Sequence, residues 1–402
     1  MHTIKAERPV IIVSDFGYVE GGAVAVAVKT ALLLAETGRK VVFFCGEGPV
    51  CDELRRSGVE AMCLSIHSIN SNPSKLAAVR GGVWNAGVYK AFEELLQRND
   101  MRGAIVHVHT WTKVLSSAVF AAATKSGNPL LLTVHDYFTV CPNGGFYNYT
   151  KKRICELMPM SVACVRCDCD RRSYAQKLWR VARQVSQDRW VRNNPKVHYA
   201  FVSEYCRNIL VPFLHSDYPY EVLHNPIDHI DFGESKHERD AFLFIGRVSP
   251  EKGADLFCEA TSAVGAKGIV IGDGEMLSSL KDRFPQIDFT GWLKPEEMWL
   301  RGVAHAIALV QPSRLYEAAP LSPLQMLEHG VPCIVPDRCA ACDYVKEGVN
   351  GLLFKTGDAE DLERAMREML ERPLDPGPKK IADEGYLLDL MALYERVTVF
   401  DD

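Results

Sequence analysis

Short apolar runs alternate along the chain with longer segments whose apolar residues are spaced as on one face of a helix. The runs predict strands over residues 10–14, 41–45, 104–109, 130–135 and 199–203, and then over 241–246, 268–272, 287–291, 307–311 and 333–336. Most runs are continuously apolar, which is typical of strands that are buried on both faces of a parallel sheet. The pattern therefore predicts parallel sheets covered by helices.

Helical spacing lies between these runs. It predicts helices over residues 23–37, 86–97, 113–125, 255–262, 295–303, 324–329, 358–371 and 386–397. The alternating order of strands and helices favours a doubly wound α/β architecture. The pattern restarts near residue 240, after a polar segment at 228–240 that suits a linker.

This restart predicts two Rossmann-like, doubly wound parallel-sheet domains that face a cleft. We expect an N-terminal domain over residues 1–228, with an insert at about 136–196, and a C-terminal domain over 229–384. Residues 385–402 are expected to include a helix that packs back on the N-terminal domain. In each domain the functional loops should lie beyond the carboxyl ends of the strands.

The composition is typical of a globular protein, with 402 residues, 47% hydrophobic and 24% charged. A formal net charge of −5 gives no sign of a nucleic-acid partner. The 13 cysteines lie mostly in apolar runs, which favours reduced thiols over a disulfide framework. The polar start of the chain, and the lack of an apolar run of about 18–20 residues, predict a cytoplasmic protein. Peripheral contact with the inner face of the cytoplasmic membrane stays open as an alternative.

A first candidate site follows the predicted strand that ends at Gln311. Its loop carries Glu317, and Ser322 followed by Pro323 predicts the start of a helix. The N–H groups at a helix start can bind a phosphate, and a carboxylate such as that of Glu317 can accept hydrogen bonds from sugar hydroxyls. Gln325 lies one turn inside this helix, where it can reach a ribose. The alternative is a helix cap with a solvated glutamate.

A second candidate site is the loop after the strand that ends at Gly246, since it carries Arg247 and Lys252. A guanidinium binds phosphate through a planar fork, and an ammonium adds a compact charge. Together they can neutralise a diphosphate leaving group, where negative charge develops. The alternative is a surface loop with two ordinary cations.

The N-terminal half places glycines and histidines at strand ends. Gly21 and Gly22 stand between the first strand and the first helix, where paired glycines permit close approach to a phosphate or a sugar. His109 and His135 each end a strand and can bind a sugar hydroxyl or assist proton transfer. We assign His109 to the acceptor side. The alternatives are a tight turn and satisfied structural histidines.

Together these segments resemble the family-4 retaining glycosyltransferases (glycosyl transferases group 1), which have the GT-B fold. The resemblance implies that Gly22, Arg247 and Lys252 contact the diphosphate of a nucleotide-sugar donor. It also implies that Glu317 binds hydroxyls of the donor sugar and that His135 lies at that sugar, near the reacting centre. The other donor-binding residues predicted are Gly21, Gly246, Gly291, Trp292, Leu293, Ala318, Ala319, Pro320, Leu321 and Gln325.

The resemblance further implies a metal-independent transferase of polysaccharide or cell-envelope biosynthesis. It would move a sugar from a UDP- or GDP-sugar to a glycan or lipid-linked acceptor with retention of the anomeric configuration. Gln325 departs from the family, which usually has a second glutamate there, and the Ala318-Ala319-Pro320 loop replaces a glycine-rich one.

Two other functions stay open. Gln325 allows a non-catalytic sugar-nucleotide-binding protein that regulates or scaffolds polysaccharide assembly. A nucleotide-sugar epimerase or a phosphorylase on the same fold is the other alternative, although we find neither an acidic catalytic pair nor a convincing lysine for pyridoxal phosphate.

The insert is rich in cysteine. Cys164 and Cys167 have the spacing of metal ligands, and Cys141 and Cys155 could complete four thiolates around a structural zinc ion. The alternative is a set of reduced thiols without metal.

A basic segment with two tryptophans runs from Arg171 to Arg192. A basic amphipathic helix of this kind can lie on an anionic membrane surface. The alternative is a solvated helix edge.

Overall fold

The computed structural model describes residues 8–69, 71–217, 219–226, 239–377 and 383–399. The chain divides into two compact units. Unit 1 comprises Met1–Gly144, Leu157–Pro226 and Asp383–Asp402, and unit 2 comprises Gly145–Glu156 and Ile227–Ala382. The predicted domain boundary between residues 228 and 229 lies outside the described residues.

Unit 1 begins with alternating strands and helices. They are β1 (Val10–Phe16), α1 (Gly22–Glu36), β2 (Val41–Glu47), α2 (Asp52–Arg56), β3 (Glu60–Cys63), α3 (Lys75–Val83), α4 (Ala86–Leu96), β4 (Ile105–Val108), α5 (Ala118–Ser126) and β5 (Leu130–Val134). A two-stranded hairpin that belongs to unit 2 follows, formed by β6 (Tyr147–Asn148) and β7 (Arg153–Ile154). Unit 1 then continues with α6 (Val162–Arg166), α7 (Tyr174–Asp188), β8 (Val197–Phe201), α8 (Glu204–Leu210) and β9 (Tyr220–Val222).

Seven of these strands form one parallel sheet in the order β3-β2-β1-β4-β5-β8-β9. Its central strands are buried along their whole length, because helices cover both faces. The order reverses between β1 and β4, and loops at such a switch point form the usual ligand crevice of this architecture.

Unit 2 has the same plan. Its elements are β10 (Ala241–Ile245), α9 (Ala254–Ala263), β11 (Lys267–Ile271), α10 (Leu277–Arg283), β12 (Asp288–Gly291), α11 (Pro295–Arg301), β13 (Ala306–Val310), α12 (Leu321–Glu328), β14 (Cys333–Pro336), β15 (Gly351–Phe354) and α13 (Ala359–Glu371). The six strands form a parallel sheet in the order β12-β11-β10-β13-β14-β15, which reverses between β10 and β13. The predicted doubly wound parallel-sheet fold is therefore confirmed in both units.

The last helix, α14 (Asp383–Val399), packs on unit 1. Tyr386, Leu390 and Tyr394 are buried in the same apolar cluster as residues of β1 and α1. The phenol of Tyr386 lies 2.6 Å from the hydroxyl of Thr30 on α1. Across the described residues, no helix is both long and apolar enough to cross a membrane.

One predicted helix begins later than expected. The sequence predicts helix from Lys113, but residues 112–117 form turns and α5 begins at Ala118. The buried carboxylate of Asp15 accepts backbone N–H bonds from Lys113, Val114 and Leu115, each at 2.9 Å. These backbone N–H groups are therefore satisfied by a side chain and not by the hydrogen bonds of a helix.

Two glycines in unit 2 provide a test of loop packing. Gly253 has φ +73°, and a Cβ there would overlap the carbonyl oxygen of Pro312; Gly265 has φ +68° with open space around it. We expect Gly265→Ala to lower the free energy of unfolding by about 1–2 kcal/mol, through the left-handed backbone alone. Gly253→Ala should cost more, because the clash adds to the same strain. Urea unfolding of both variants measures the difference, and equal losses would contradict the loop packing described.

Candidate functional site

A cluster of charged groups lies at the switch point of unit 2. One loop follows β10 and carries Arg247 and Lys252, and the other follows β13 and carries Ser313 and Glu317. Lys252 Nζ donates to Glu317 Oε1 at 2.6 Å, and Ser313 Oγ donates to the same oxygen at 2.7 Å. The two loops are therefore joined through one carboxylate.

Glu317 is ionised in this arrangement. Burial would raise the pKa of its carboxyl group, but the ammonium of Lys252, the hydroxyl of Ser313 and the guanidinium of Arg247 together hold that pKa below its ordinary value. The carboxylate is thus ready to accept hydrogen bonds at neutral pH. Lys252 keeps two further N–H donors beyond the one used here.

Arg247 stands apart from this pair, with 58% of its side chain exposed. Its nearest acid is the buried carboxylate of Glu251, 3.9 Å away. The guanidinium therefore retains donors that an incoming phosphate can use.

Arg314 holds the two loops in place, although no sequence motif indicated it. Its guanidinium binds the carboxylate of Asp255 in a bidentate pair at 2.7 and 3.0 Å and donates to the carbonyl oxygen of Pro250 at 2.6 Å. Its own N–H donates to the carbonyl oxygen of Glu251 at 2.9 Å. These partners are more than fifty residues away in sequence, so local spacing could not indicate them.

The β6–β7 hairpin supports the same loop from the insert. The ring of Phe146 lies 6.4 Å from that of Tyr316, next to Glu317. A Cβ on Gly145 would contact Leu315 at 3.7 Å. Tyr147 is buried, and burial raises the pKa of its phenol to about 12. The sequence placed the whole insert in the N-terminal domain and did not indicate this packing.

The helix after Glu317 begins at Leu321 and not at Ser322, with Pro320 at the cap position. The predicted Ser322 cap is therefore wrong, since the carbonyl before the helix comes from proline and no side chain caps the first turn. Ala318 is buried and Ala319 half-buried, and Gln325 is half-buried on the helix. The N–H groups of the first turn still point out of the helix start.

Three of the predicted donor-binding residues, Gly291, Trp292 and Leu293, lie at the end of β12. Gly291 has φ +74°, and Trp292 is the most exposed large apolar side chain among the described residues, at 78%. Leu293 packs against the apolar cluster below. An exposed indole held on a fixed turn offers a face for stacking.

Gly272 and Gly274 of unit 2 have a structural role. A Cβ on either residue would overlap backbone of the β10 loop, at Gly246 and Val248 respectively. Glycine at these positions lets the loops after β10 and β11 touch through their backbones.

In unit 1, the predicted histidines lie together. His109 Nδ1 is 3.0 Å from His135 Nε2, and the two rings stack with centroids 5.2 Å apart. Burial lowers the pKa of His135 to about 3 and that of His109 well below its usual value, so both rings are neutral. Neutral imidazoles can donate and accept hydrogen bonds but carry no charge to offer a phosphate.

The acid beside His135 is half-buried, as His135 itself is. Burial raises the pKa of Asp136 to about 6, although the hydrogen bond from the N–H of Phe138 and the positive charge of Arg183 both lower it. Arg183 lies on α7 and donates to the carbonyl oxygen of Pro142 at 3.1 Å. Gln184 and Gln187 of the same helix donate to the carbonyl oxygens of Thr139 and Phe138. The polar side of α7 therefore holds the loop that follows His135, a role that the sequence did not reveal.

The glycine pair stands where the sequence predicts. Gly21 precedes α1 and Gly22 is its first residue, with no side chain capping the helix. Next to the pair, Glu20 binds Lys113 Nζ at 2.7 Å. A 15-residue helix that starts on glycines can present its N–H groups to an anion.

The structure gives the predicted zinc site no support. Within the described ranges, no group of three or more His, Cys, Asp or Glu side chains is arranged to hold a metal ion. Cys141 and Cys164 belong to unit 1, whereas Cys155 belongs to unit 2, and Cys167 follows α6. The cation beside the thiol of Cys164 is the buried ammonium of Lys177, at 3.6 Å.

Two protein-family models match the chain. The model for Glycosyltransferase Family 4 matches residues 20–230, and the model for Glycosyl transferases group 1 matches residues 227–387. The chain belongs to glycosyltransferase family 4. The resemblance drawn from the motifs is thereby confirmed.

Curated relatives match the chain over part of their length, among them a mannosyltransferase and a glycogen synthase. A GDP-mannose-dependent alpha-mannosyltransferase from Corynebacterium glutamicum is 29% identical over 127 residues, which is 32% of this chain and 30% of that protein. A glycogen synthase from Xanthomonas campestris is 33% identical over 151 residues, which is 35% of this chain and 30% of that protein. The matches thus span less than a third of each relative.

Solved structures of GT-B glycosyltransferases have the same fold as this chain over at least 90% of its length. HepE from Anabaena, in complex with UDP, has a TM-score of 0.61 at 14% identity and 90% coverage of both chains. Sucrose-phosphate synthase from Thermosynechococcus elongatus has a TM-score of 0.70 at 14% identity, covering 98% of this chain and 100% of that one. The predicted GT-B fold is confirmed.

The ion pair in unit 2 can be tested by titration. In Lys252→Met the pKa of Glu317 should rise. Burial raises this pKa, and the variant lacks the positive charge that most strongly lowers it. Carbon-13 NMR of glutamate-labelled protein measures this pKa, and Glu317→Gln assigns the resonance. Lys267→Met, which removes the partner of Asp240, is the control and should leave the Glu317 titration unchanged. An unchanged midpoint in Lys252→Met would show that the pair does not hold this carboxylate ionised.

Proposed function

We propose that this glycosyltransferase moves a sugar from a UDP- or GDP-sugar to a glycan or lipid-linked acceptor, with retention of the anomeric configuration and without a metal ion. The observation that carries the proposal is the joined pair of loops in unit 2. There an exposed guanidinium, a paired ammonium and an ionised carboxylate stand at the carboxyl ends of β10 and β13. A nucleotide sugar has the matching chemistry, since its diphosphate is anionic and its hydroxyls donate hydrogen bonds.

The groups divide the work of transfer. Arg247 and the spare N–H donors of Lys252 bind the diphosphate and stabilise the negative charge that grows as its bond to the anomeric carbon breaks. The first-turn N–H groups of α12 add to this stabilisation. Glu317 accepts hydrogen bonds from the sugar hydroxyls and so fixes the anomeric carbon. The acceptor oxygen bonds to that carbon on the face that the phosphate leaves, and its proton goes to the departing phosphate oxygen.

The names of the relatives support a nucleotide-sugar donor without deciding which one. One curated relative uses GDP-mannose, and one structural neighbour is described with UDP. Trp292 is the residue we assign to stacking on the base, and Gln325 to the ribose. A non-catalytic binder remains the rival, because Gln325 replaces the family's second glutamate.

A donor panel followed by a turnover assay separates these functions. Thermal unfolding with UDP- and GDP-sugars should show one donor raising the melting temperature, because a ligand of the folded state stabilises it by mass action. That donor should then be consumed in the presence of EDTA, and proton NMR of the product should show the donor's anomeric configuration. Binding without turnover would favour the rival, and turnover abolished by EDTA would refute the metal-free mechanism.

The diphosphate assignment rests on Arg247. Arg247→Ala should lower the turnover number at least about 100-fold, as the loss of one preorganised charge at a reacting group does. Arg283→Ala is a matched control in the same unit, since that side chain is 56% exposed and binds Glu259. Circular dichroism should show both variants folded. Undiminished transfer by Arg247→Ala would remove the assignment.

A second proposal concerns membrane contact, and here the prediction from the basic segment needs correction. Lys177 and Arg183 of α7 are buried, and Arg180 pairs with Asp170 at 2.7 Å. The cations therefore do not form the outer face of the helix, because they hold the cysteine-rich loop instead. The exposed residues include the apolar Leu178 and Val185.

The polar side of this helix faces the protein and its apolar side faces outward. A surface helix of a globular protein usually has the opposite arrangement. Trp179 Nε1 donates to the carbonyl oxygen of Val79 at 2.9 Å and so ties α7 to α3, where Leu76 and Val79 are also exposed. Exposed cations flank this apolar face at Lys75, Arg80, Arg171 and Arg172. We infer that the face docks on an anionic membrane, where apolar side chains enter the interface and cations meet the headgroups.

Vesicle flotation tests the docking face. The protein should float with vesicles that contain anionic phosphatidylglycerol at low salt, and Leu76→Glu should reduce the bound fraction. Leu388→Glu on α14 is the control, because Leu388 is 70% exposed and Leu76 is 69% exposed. Equal loss in both variants, or no flotation of the unmodified protein, would contradict the proposal.

A further inference from the structure

Three imidazoles form a row in the core of unit 1. His107 and His109 lie two residues apart at the end of β4, so they share one face of the sheet, and their ring centroids are 4.3 Å apart. His135 follows the neighbouring strand β5 and contacts His109. His107 is fully buried and His109 is 2% exposed.

The first ring of the row is fixed at both nitrogens. His107 Nδ1 lies 2.8 Å from the phenol oxygen of Tyr394, and Nε2 lies 2.7 Å from the hydroxyl of Thr133. Since both partners are hydroxyls, His107 is satisfied in either tautomer. The ring of His107 is tilted by 37° against that of His109 and restricts its rotation, and the helix α14 reaches this row through Tyr394.

The contact between His109 and His135 has two possible proton positions. Both rings are neutral, so one nitrogen of the 3.0 Å pair donates and the other accepts. If His109 donates from Nδ1, then His135 carries its proton on Nδ1 and is bare at Nε2. If His135 donates from Nε2, the proton of His109 must sit on its own Nε2.

The far nitrogen of His109 decides between these states. His109 Nε2 is buried and has no hydrogen-bond partner among the described residues. A proton there would be a buried N–H donor without an acceptor, which proteins avoid more strictly than an unused acceptor. A bare lone pair at Nε2 is therefore the less costly state, and it requires His109 to donate from Nδ1.

We propose that His109 is a positioning residue that holds His135 in the tautomer protonated at Nδ1, so that His135 offers a hydrogen-bond donor and not a base. This inference rests on the proposed function for its consequence, because the family resemblance places His135 at the donor sugar of that transfer. It changes the expected role of His135, which binds a sugar hydroxyl as a donor and takes no proton during transfer. It also moves His109 from the acceptor side to a supporting role.

The tautomers can be observed directly. Long-range proton–nitrogen spectra of histidine-labelled protein should show His135 protonated at Nδ1 and bare at Nε2, and His109 protonated at Nδ1. Conservative variants of each histidine assign the signals. A proton on Nε2 of His135 would overturn the proposal. This result does not depend on activity, so it stands or falls separately from the glycosyltransferase function.

Two substitutions then test the consequence for transfer. His109→Asn keeps a donor close to the position of Nδ1, whereas His109→Leu fills similar space without one. In His109→Leu we expect kcat to fall about tenfold, the effect of one lost hydrogen bond to a buried group, with the KM for the acceptor unchanged. His109→Asn should restore most of kcat. Equal losses in two folded variants would mean that His109 only fills space.

Discussion

The ion pair of Lys252 and Glu317 joins the two loops that meet where the strand order of unit 2 reverses. Burying two charges costs desolvation energy, and the pair is tolerated because each charge satisfies the other and Ser313 supplies a further hydrogen bond. The rest of the site depends on this join. Arg314 fixes the backbone of the loop that carries Lys252, and Gly253 lets that loop touch the strand-end residue Pro312. The charged groups are thus in place before any ligand arrives.

Much of this fold could be predicted from local pattern. Continuous apolar runs indicated the central strands. A strand that is buried on both faces has no regularly placed polar residues, so its pattern differs from that of a helix. Motif residues could be placed at strand ends for the same reason. The edge strands β3, β9 and β15 were missed, since each has only three or four residues and so carries little pattern.

Long-range partners could not be predicted. The bond from Arg314 to Asp255 and the three backbone N–H groups held by Asp15 connect residues far apart in sequence. The segment around α7 was misjudged for a related reason. Its spacing of cations and apolar residues defines an amphipathic helix but not which side faces inward. Arg183, Gln184 and Gln187 turn toward the protein because they donate hydrogen bonds to backbone carbonyls of the loop after His135.

The packing of α14 on unit 1 has a consequence for biosynthesis. Tyr386, Leu390 and Tyr394 complete an apolar cluster that includes residues of β1, α1 and β2. During translation, the residues of unit 2 must therefore leave the ribosome before this cluster can close. The unit that is synthesised first therefore completes its core last. The apolar surface that α14 covers stays exposed until the residues of unit 2 have been synthesised.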